Sequence, residues 1–203
     1  MKKIFFLFTV LITNYGFSQA KNIDSLQIEN LKKELHQIKI EDQTLRFLLP
    51  DVTKRFGNKS DESKYIWSLI HKQDSICEAK VISILKKHGW LGKSIIGEDA
   101  NQTLWLVVQH AQLKNQEKYI SLLKKSVDKG ESKPWHYAFL KDRILMRNGK
   151  KQIYGTQAFW DKKLGKMKIY PIKNPKNVNE KRKKLGLGTV EEHAKQNGYI
   201  LND

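Results

Sequence analysis

Apolar residues recur at helical spacing along most of this 203-residue chain, and that period constrains its fold more than any other feature. Ile28, Leu31, Leu35, Ile38, Leu45 and Leu49 fall on one face of a 3.6-residue repeat. This predicts a helix over 24–49, with Asp24 or Ser25 as its cap and Pro50 as its end. Ser60 or Asp61 is placed to cap a second helix running to about His88, where Gly89 stops it. Leu69, Ile70, Ile76, Cys77, Val81 and Ile84 line the inner face of that helix, so Cys77 reads as a small buried hydrophobe. Residues 89–102 hold three glycines and form a connector, with Asp99 where a cap belongs. Leu104–Val108 is apolar on every side and predicts a helix buried nearly all round. A fourth helix is expected over Asn115–Val127, and a fifth from Pro134, at its first turn, through Met146.

The pattern changes at Asn148-Gly149, a turn signal. "QIYGTQAFW" and "KMKIYPI" carry strand-type residues on either side of "DKKLGK", which predicts a hairpin with Tyr154, Thr156 and Gln157 on its first strand. "NVNEKRKKLGL" reads as a short helix ending at Gly186, and Thr189-Val190-Glu191-Glu192 matches a capping box for a last one. The fold class expected is therefore mainly α, one helical domain with one small β-hairpin near the C-terminal third. Its core spans roughly 24–173 and a C-terminal helical segment spans 177–203.

The first twenty residues stand apart. Met1-Lys2-Lys3 is a basic start, "IFFLFTVLI" at 4–12 is an apolar run, and small residues follow. That is the layout of a signal peptide over 1–20, with cleavage after Ser18 or Ala20. The run is shorter than the roughly 20 residues a membrane span needs, and no cysteine sits at the cut to carry a lipid. The reading is an exported, periplasmic or secreted domain, 21–203, with no transmembrane span after cleavage. One cysteine, Cys77, makes no internal disulfide.

The net charge of +17 favours anionic partners. The lysines are dispersed as pairs, such as Lys86-Lys87 and Lys162-Lys163, without one long basic tract. Together with the export signal, this speaks against nucleic acid. Arginine is scarce: Arg46, Arg55, Arg143, Arg147 and Arg182.

Three groups of polar residues interrupt apolar runs. Gln109 and His110 follow five apolar residues on a helix read as buried. Asp142 and Arg143 follow Tyr137–Leu140. Tyr154, Thr156 and Gln157 surround Gly155, which admits close approach to the backbone. Buried polar groups need partners. A shared cleft would supply them, with His110 as a general base oriented by Asp142. Arg143 would hold an anionic or carbonyl group, and Gln109, Thr156 and Gln157 would donate or accept hydrogen bonds. The alternative is that Asp142 and Arg143 clamp neighbouring helices and His110 is a satisfied core histidine.

There is no His-Glu-x-x-His, no Gly-x-Ser-x-Gly and no phosphate-cradling glycine loop. The six histidines show no ligand spacing, so neither a metal nor a cofactor is expected.

"DQTLR" at 42–46, "GW" at 89–90, "WLVVQHA" at 105–111, "YAFLKDRI" at 137–144, "QIYGTQ" at 152–157 and "NEKRKKLGL" at 179–187 occur in this order. Together they resemble the family catalogued as domain of unknown function 6624, uncharacterised exported proteins of Bacteroidota and other bacteria. Where that family often has Gly-Trp-Pro, this chain has Gly89-Trp90-Leu91. The resemblance adds Asp42, Gln43, Arg46 and Arg182 to the candidate ligand-binding residues and implies no particular reaction. Two functions follow as expectations: a hydrolase-like enzyme or ligand-binding domain for an anionic or amide-containing envelope molecule, or a non-enzymatic helical module that binds another envelope protein. For the export reading, mass spectrometry of the chain recovered from a Gram-negative periplasm should find Gln19 or Lys21 as the first residue; an intact Met1 would refute it.

Overall fold

The computed structural model describes residues 23–201, so the signal-peptide reading of 1–20 lies outside the described residues. Helices α1 (Ser25–Phe56), α2 (Asp61–His88) and α3 (Lys93–His110) pack on one another, and α4 (Leu113–Asp128) and α5 (Pro134–Arg147) form a second antiparallel pair against α3. Strands β1 (Ala158–Asp161) and β2 (Lys166–Ile169) make an antiparallel hairpin in the register Ala158↔Ile169 to Asp161↔Lys166. A 3₁₀ turn (Pro175–Asn177) leads into the short helices α6 (Val178–Lys183) and α7 (Val190–Asn197). The fold is thus mainly helical with one small two-stranded sheet in the C-terminal third. Among the described residues no helix is long and apolar enough to cross a membrane.

Side-chain caps explain the starts of α1, α2 and α7. Asp24 accepts from Gln27 N at 2.7 Å, Ser60 from Ser63 N at 3.2 Å, and Thr189 with Glu192 forms the complete capping box. Pro134 occupies the first turn of α5.

Several sequence expectations are corrected. Pro50 does not end α1, which continues to Phe56. Proline costs one backbone bond there, but Pro50 is exposed, so water can satisfy the freed carbonyl. The helix stops instead at Gly57, with φ at +93°. The break ahead of α3's buried stretch falls at Gly97, with φ at +81°, rather than at Asp99. Asp99 lies one turn in and pairs with Lys39 of α1. Tyr154, Thr156 and Gln157 precede β1 rather than lying on it. Gly155 takes φ +68° there and interrupts the extended run.

The main core joins Leu35, Ile38, Cys77, Val81, Leu104, Val108, Leu123 and Leu140. A smaller one joins Ile169, Val178, Val190 and Ala194. Trp105 is buried, in keeping with a helix apolar on every side, and Trp67 is 42% exposed and stacks on His71.

His136 is 1% exposed, lies parallel to Trp105 at 4.4 Å, and has no hydrogen bond at either ring nitrogen. Burial, reinforced by the charge of Lys133, pushes its imidazole down to about 3. The unfolded chain takes up this proton near pH 6.5, whereas the folded chain resists it. The contribution to stability is complete above 6.5 and is lost as pH falls toward 3. Urea denaturation should show a loss of about 3 kcal/mol from this group between pH 7 and pH 4. His136→Phe should remove that part of the slope; an unchanged slope would contradict the assignment.

Candidate functional site

Most of the predicted site residues fall into two constellations, one around Asp42 and one around Asp142. The first is built around Asp42. On α1 the buried residues are Leu31, Leu35, Ile38 and Asp42, so a carboxylate takes the next slot in an apolar stripe. On α2, Asp74 holds the equivalent slot between Ile70 and Cys77. The last turn of α3 brings His110 onto them.

His110 Nδ1 lies 3.1 Å from Asp42 Oδ1. The Gln43 amide donates to Asp42 Oδ2. The Arg46 guanidinium bonds Asp74, and its Nε lies 3.7 Å from Asp42 Oδ2. Burial would push the Asp42 carboxyl up, but His110, Gln43 and Arg46 together hold it below its ordinary value. The Asp42 side chain is 0% exposed and that of His110 is 15% exposed, so the acid is sealed and the imidazole reaches solvent. Among the described residues nothing hydrogen-bonds His110 Nε2, and no serine, threonine or cysteine bonds to the ring.

The second constellation surrounds Asp142, which is fully buried. Its carboxylate accepts from Ile153 N at 2.8 Å, Tyr154 N at 3.1 Å, Thr156 N at 3.1 Å and Thr156 Oγ1 at 3.0 Å. Burial pushes the Asp142 carboxyl up against the pull of these donors. Arg182 closes the loop from the other side, donating to Gly188 O at 2.6 Å and Tyr154 O at 2.7 Å. Gln157 Nε2 donates to Thr156 Oγ1 at 3.2 Å and to Phe139 O at 3.4 Å. The close approach that Gly155 permits is from the chain itself: a Cβ there would meet Val190 Cγ2 at 2.7 Å.

The structure therefore does not pair His110 with Asp142. Asp142 has its oxygens occupied by a loop only 11–14 residues downstream, and His110 takes its orienting carboxylate from α1. Arg143 faces neither acid and has no hydrogen bond or ion pair among the described residues, and its Nε is buried without a partner. Gln109 is 7% exposed; its carbonyl accepts from Gln116, and its side-chain amide makes no hydrogen bond among the described residues.

Asp74 and Gln152 were not singled out from the sequence. Asp74 could have been found as an acid in the apolar stripe of α2. Gln152 offered no signal: it is fully buried, and its amide bonds Gln157 O at 3.0 Å, Tyr170 O at 2.6 Å and Gln157 N at 2.9 Å.

Asp42, Asp74 and His110 present one ligand atom each within 4.8 Å of one another, a spacing that could hold a cation. Arg46 already bonds Asp74 and neighbours Asp42, so a metal would have to displace a guanidinium. A cavity of about 500 Å³ in the C-terminal lobe is lined by Lys151, Lys168, Ile172 and Val190 and by none of the predicted site residues. A groove of about 330 Å³ runs past Gln43 between Ile40, Phe47 and Leu106.

The molecule is a helical domain whose three longest helices meet at an Asp–His–Arg–Asp cluster built on one sealed carboxylate, Asp42. The chain belongs to the family of unknown function DUF6624, whose model matches residues 29–201. No curated protein and no solved structure matches it.

Asp142 holds the 153–156 loop, and its removal should tell on stability. Asp142→Ala leaves three backbone N–H groups and the Thr156 hydroxyl without their acceptor, which should cost about 3 kcal/mol or more in urea unfolding. Asp142→Asn should also destabilise, because one side of the amide is a donor facing donors. Variants as stable as the parent would show that the loop does not depend on this residue.

Proposed function

We propose that this is an exported envelope domain that binds an anionic or amide-containing envelope molecule and acts on it as a hydrolase, with His110 as the general base. The observation that carries the reading is the 3.1 Å contact of His110 Nδ1 with the sealed Asp42 carboxylate. A buried carboxylate on Nδ1 fixes the tautomer with the proton on that nitrogen and leaves Nε2 free to take a proton at the solvent-facing edge. No side-chain hydroxyl or thiol bonds to the ring, so the group activated would be water rather than a covalent nucleophile. Arg143, Gln109 and Gln43 are the candidates to hold the ligand. Tyr154, Thr156, Gln157 and Arg182 support the site through the loop they build. Export to the periplasm follows from the N-terminal sequence.

The alternative is a helical module that binds another envelope protein. Phe47, 73% exposed, and Ile40, 47% exposed, beside the groove on α1 favour it.

A panel of chromogenic esters, phosphodiesters and peptidyl anilides tests the catalytic reading. One class should be cleaved, His110→Ala should lower kcat by about 10²–10⁴-fold with KM little changed, and Asp42→Asn should lower kcat while leaving the helical content intact. Failure of every class to show His110-dependent turnover would sink this reading. Loss of a defined protein complex in Phe47→Asp would then support the second.

A further inference from the structure

Three guanidinium groups gather where α3 ends. Arg147 donates from Nη1 to Ala111 O at 2.8 Å, so α5 caps the carbonyl next to His110. Arg46, from α1, is bound to Asp74 and lies beside Asp42. Arg143 stands one turn before Arg147 on the same face of α5. Burial lowers its basicity first, and the charges of Arg147 and Arg46 lower it further.

The cluster is not electrically closed. The cluster holds two carboxylates, Asp42 and Asp74, for three guanidiniums, and the carboxylates serve only Arg46 and His110. Asp142, next to Arg143 in sequence, gives its oxygens to the 153–156 loop. Arg143 therefore carries a half-buried charge with no anion among the described residues, and its Nε is sealed without an acceptor. Beside His110, the nearly buried Gln109 adds a second unpartnered polar side chain. A guanidinium desolvated next to two others is unfavourable unless an anion completes the set, and its fork matches two oxygens of one acid group.

We propose that Arg143 is the anchor for an oxyanion, a carboxylate or phosphate group carried by the ligand, with Arg46 and Arg147 supplying the positive field around it. This rests on the reading of His110 as the reacting base and selects the anionic ligand over the neutral amide. The charged group docks on α5, and the bond to be broken lies toward Nε2 of His110. Arg143 is a binding residue, and it takes no part in the proton transfer.

The test uses the mature chain, inorganic phosphate and acetate as probes, and sodium chloride to hold ionic strength constant. Phosphate or acetate should raise the melting temperature saturably and shift the His110 Hε1 resonance. Whichever anion acts at lower concentration identifies the group. Arg143→Gln should melt at or above the parent temperature without anion, because an unpaired charge is gone, and should lose both responses. Arg143→Lys, which keeps the charge but not the fork, should weaken binding by about tenfold or more. His110→Ala should keep the melting response, which separates the anchor from the base. Equal responses in the parent and Arg143→Gln, or none beyond chloride in the parent, would overturn the anchor while leaving His110-dependent turnover standing. An anion response lost in Arg143→Gln but kept in His110→Ala, with His110→Ala fully active, would instead remove the base and leave the anchor.

Discussion

A carboxylate in the middle of an apolar stripe has to be compensated, and at Asp42 that requirement ties three helices together. Leu31, Leu35 and Ile38 carry α1 into the core, and the next inward position is an acid. An ionised carboxylate cannot stay there without charge or hydrogen-bond partners. It finds them in His110 from α3, Gln43 from its own helix and Arg46, which passes charge on to Asp74 of α2. The packing of α1 against α2 and α3 is thus not free to slide: a one-turn shift would leave the acid facing hydrocarbon. The constraint that fixes helix register also fixes the imidazole.

The same logic operates at Asp142, with a different product. There the partners are backbone N–H groups of a loop that lacks regular structure of its own. A buried acid substitutes for the missing ladder, Gln152 supplies further bonds, and Arg182 fastens the loop to the C-terminal helices. The hairpin and α6–α7 have only a small core, so this polar joint, together with the Phe139–His193 ring contact, connects them to the helical body. One acid builds scaffold, and the other holds a group that reaches solvent.

That difference explains what the sequence could and could not reveal. Helix periodicity, Ser60, Pro134, the glycines and the Thr189 capping box are local signals, and the elements they mark formed where local physics placed them. The polar residues were recognisable as misfits in apolar runs. Which misfit meets which is a property of helix packing: Asp42 and His110 are 68 residues apart. Asp142, a polar residue after an apolar run, looked available for His110 in a shared cleft, yet a loop shortly downstream claims its oxygens. Asp42 carried a usable signal of its own, the vacant slot after Ile38 in the stripe, and Asp74 repeats it between Ile70 and Cys77.

The distribution of the two basic side chains follows from how each is hydrated. Lysine ammoniums are strongly hydrated and stay at the surface, where Lys64, Lys124 and Lys133 pair with Asp61, Asp128 and Glu98. Arginine gives up water more readily and offers several donors at once, and Arg46, Arg143 and Arg182 are drawn inward while Arg55 and Arg147 stay exposed. Arg182 binds two carbonyls, Arg147 caps α3, and Arg46 bridges two acids. Arg143 breaks this series, because it is drawn inward and given nothing to bind. In a chain where surface lysines already provide a large positive charge, a further cation inside adds nothing to solubility. Its position, one turn from the residue that caps the end of α3 next to His110, is the one the proposed anchor requires: half of an ion pair whose other half an anion would bring.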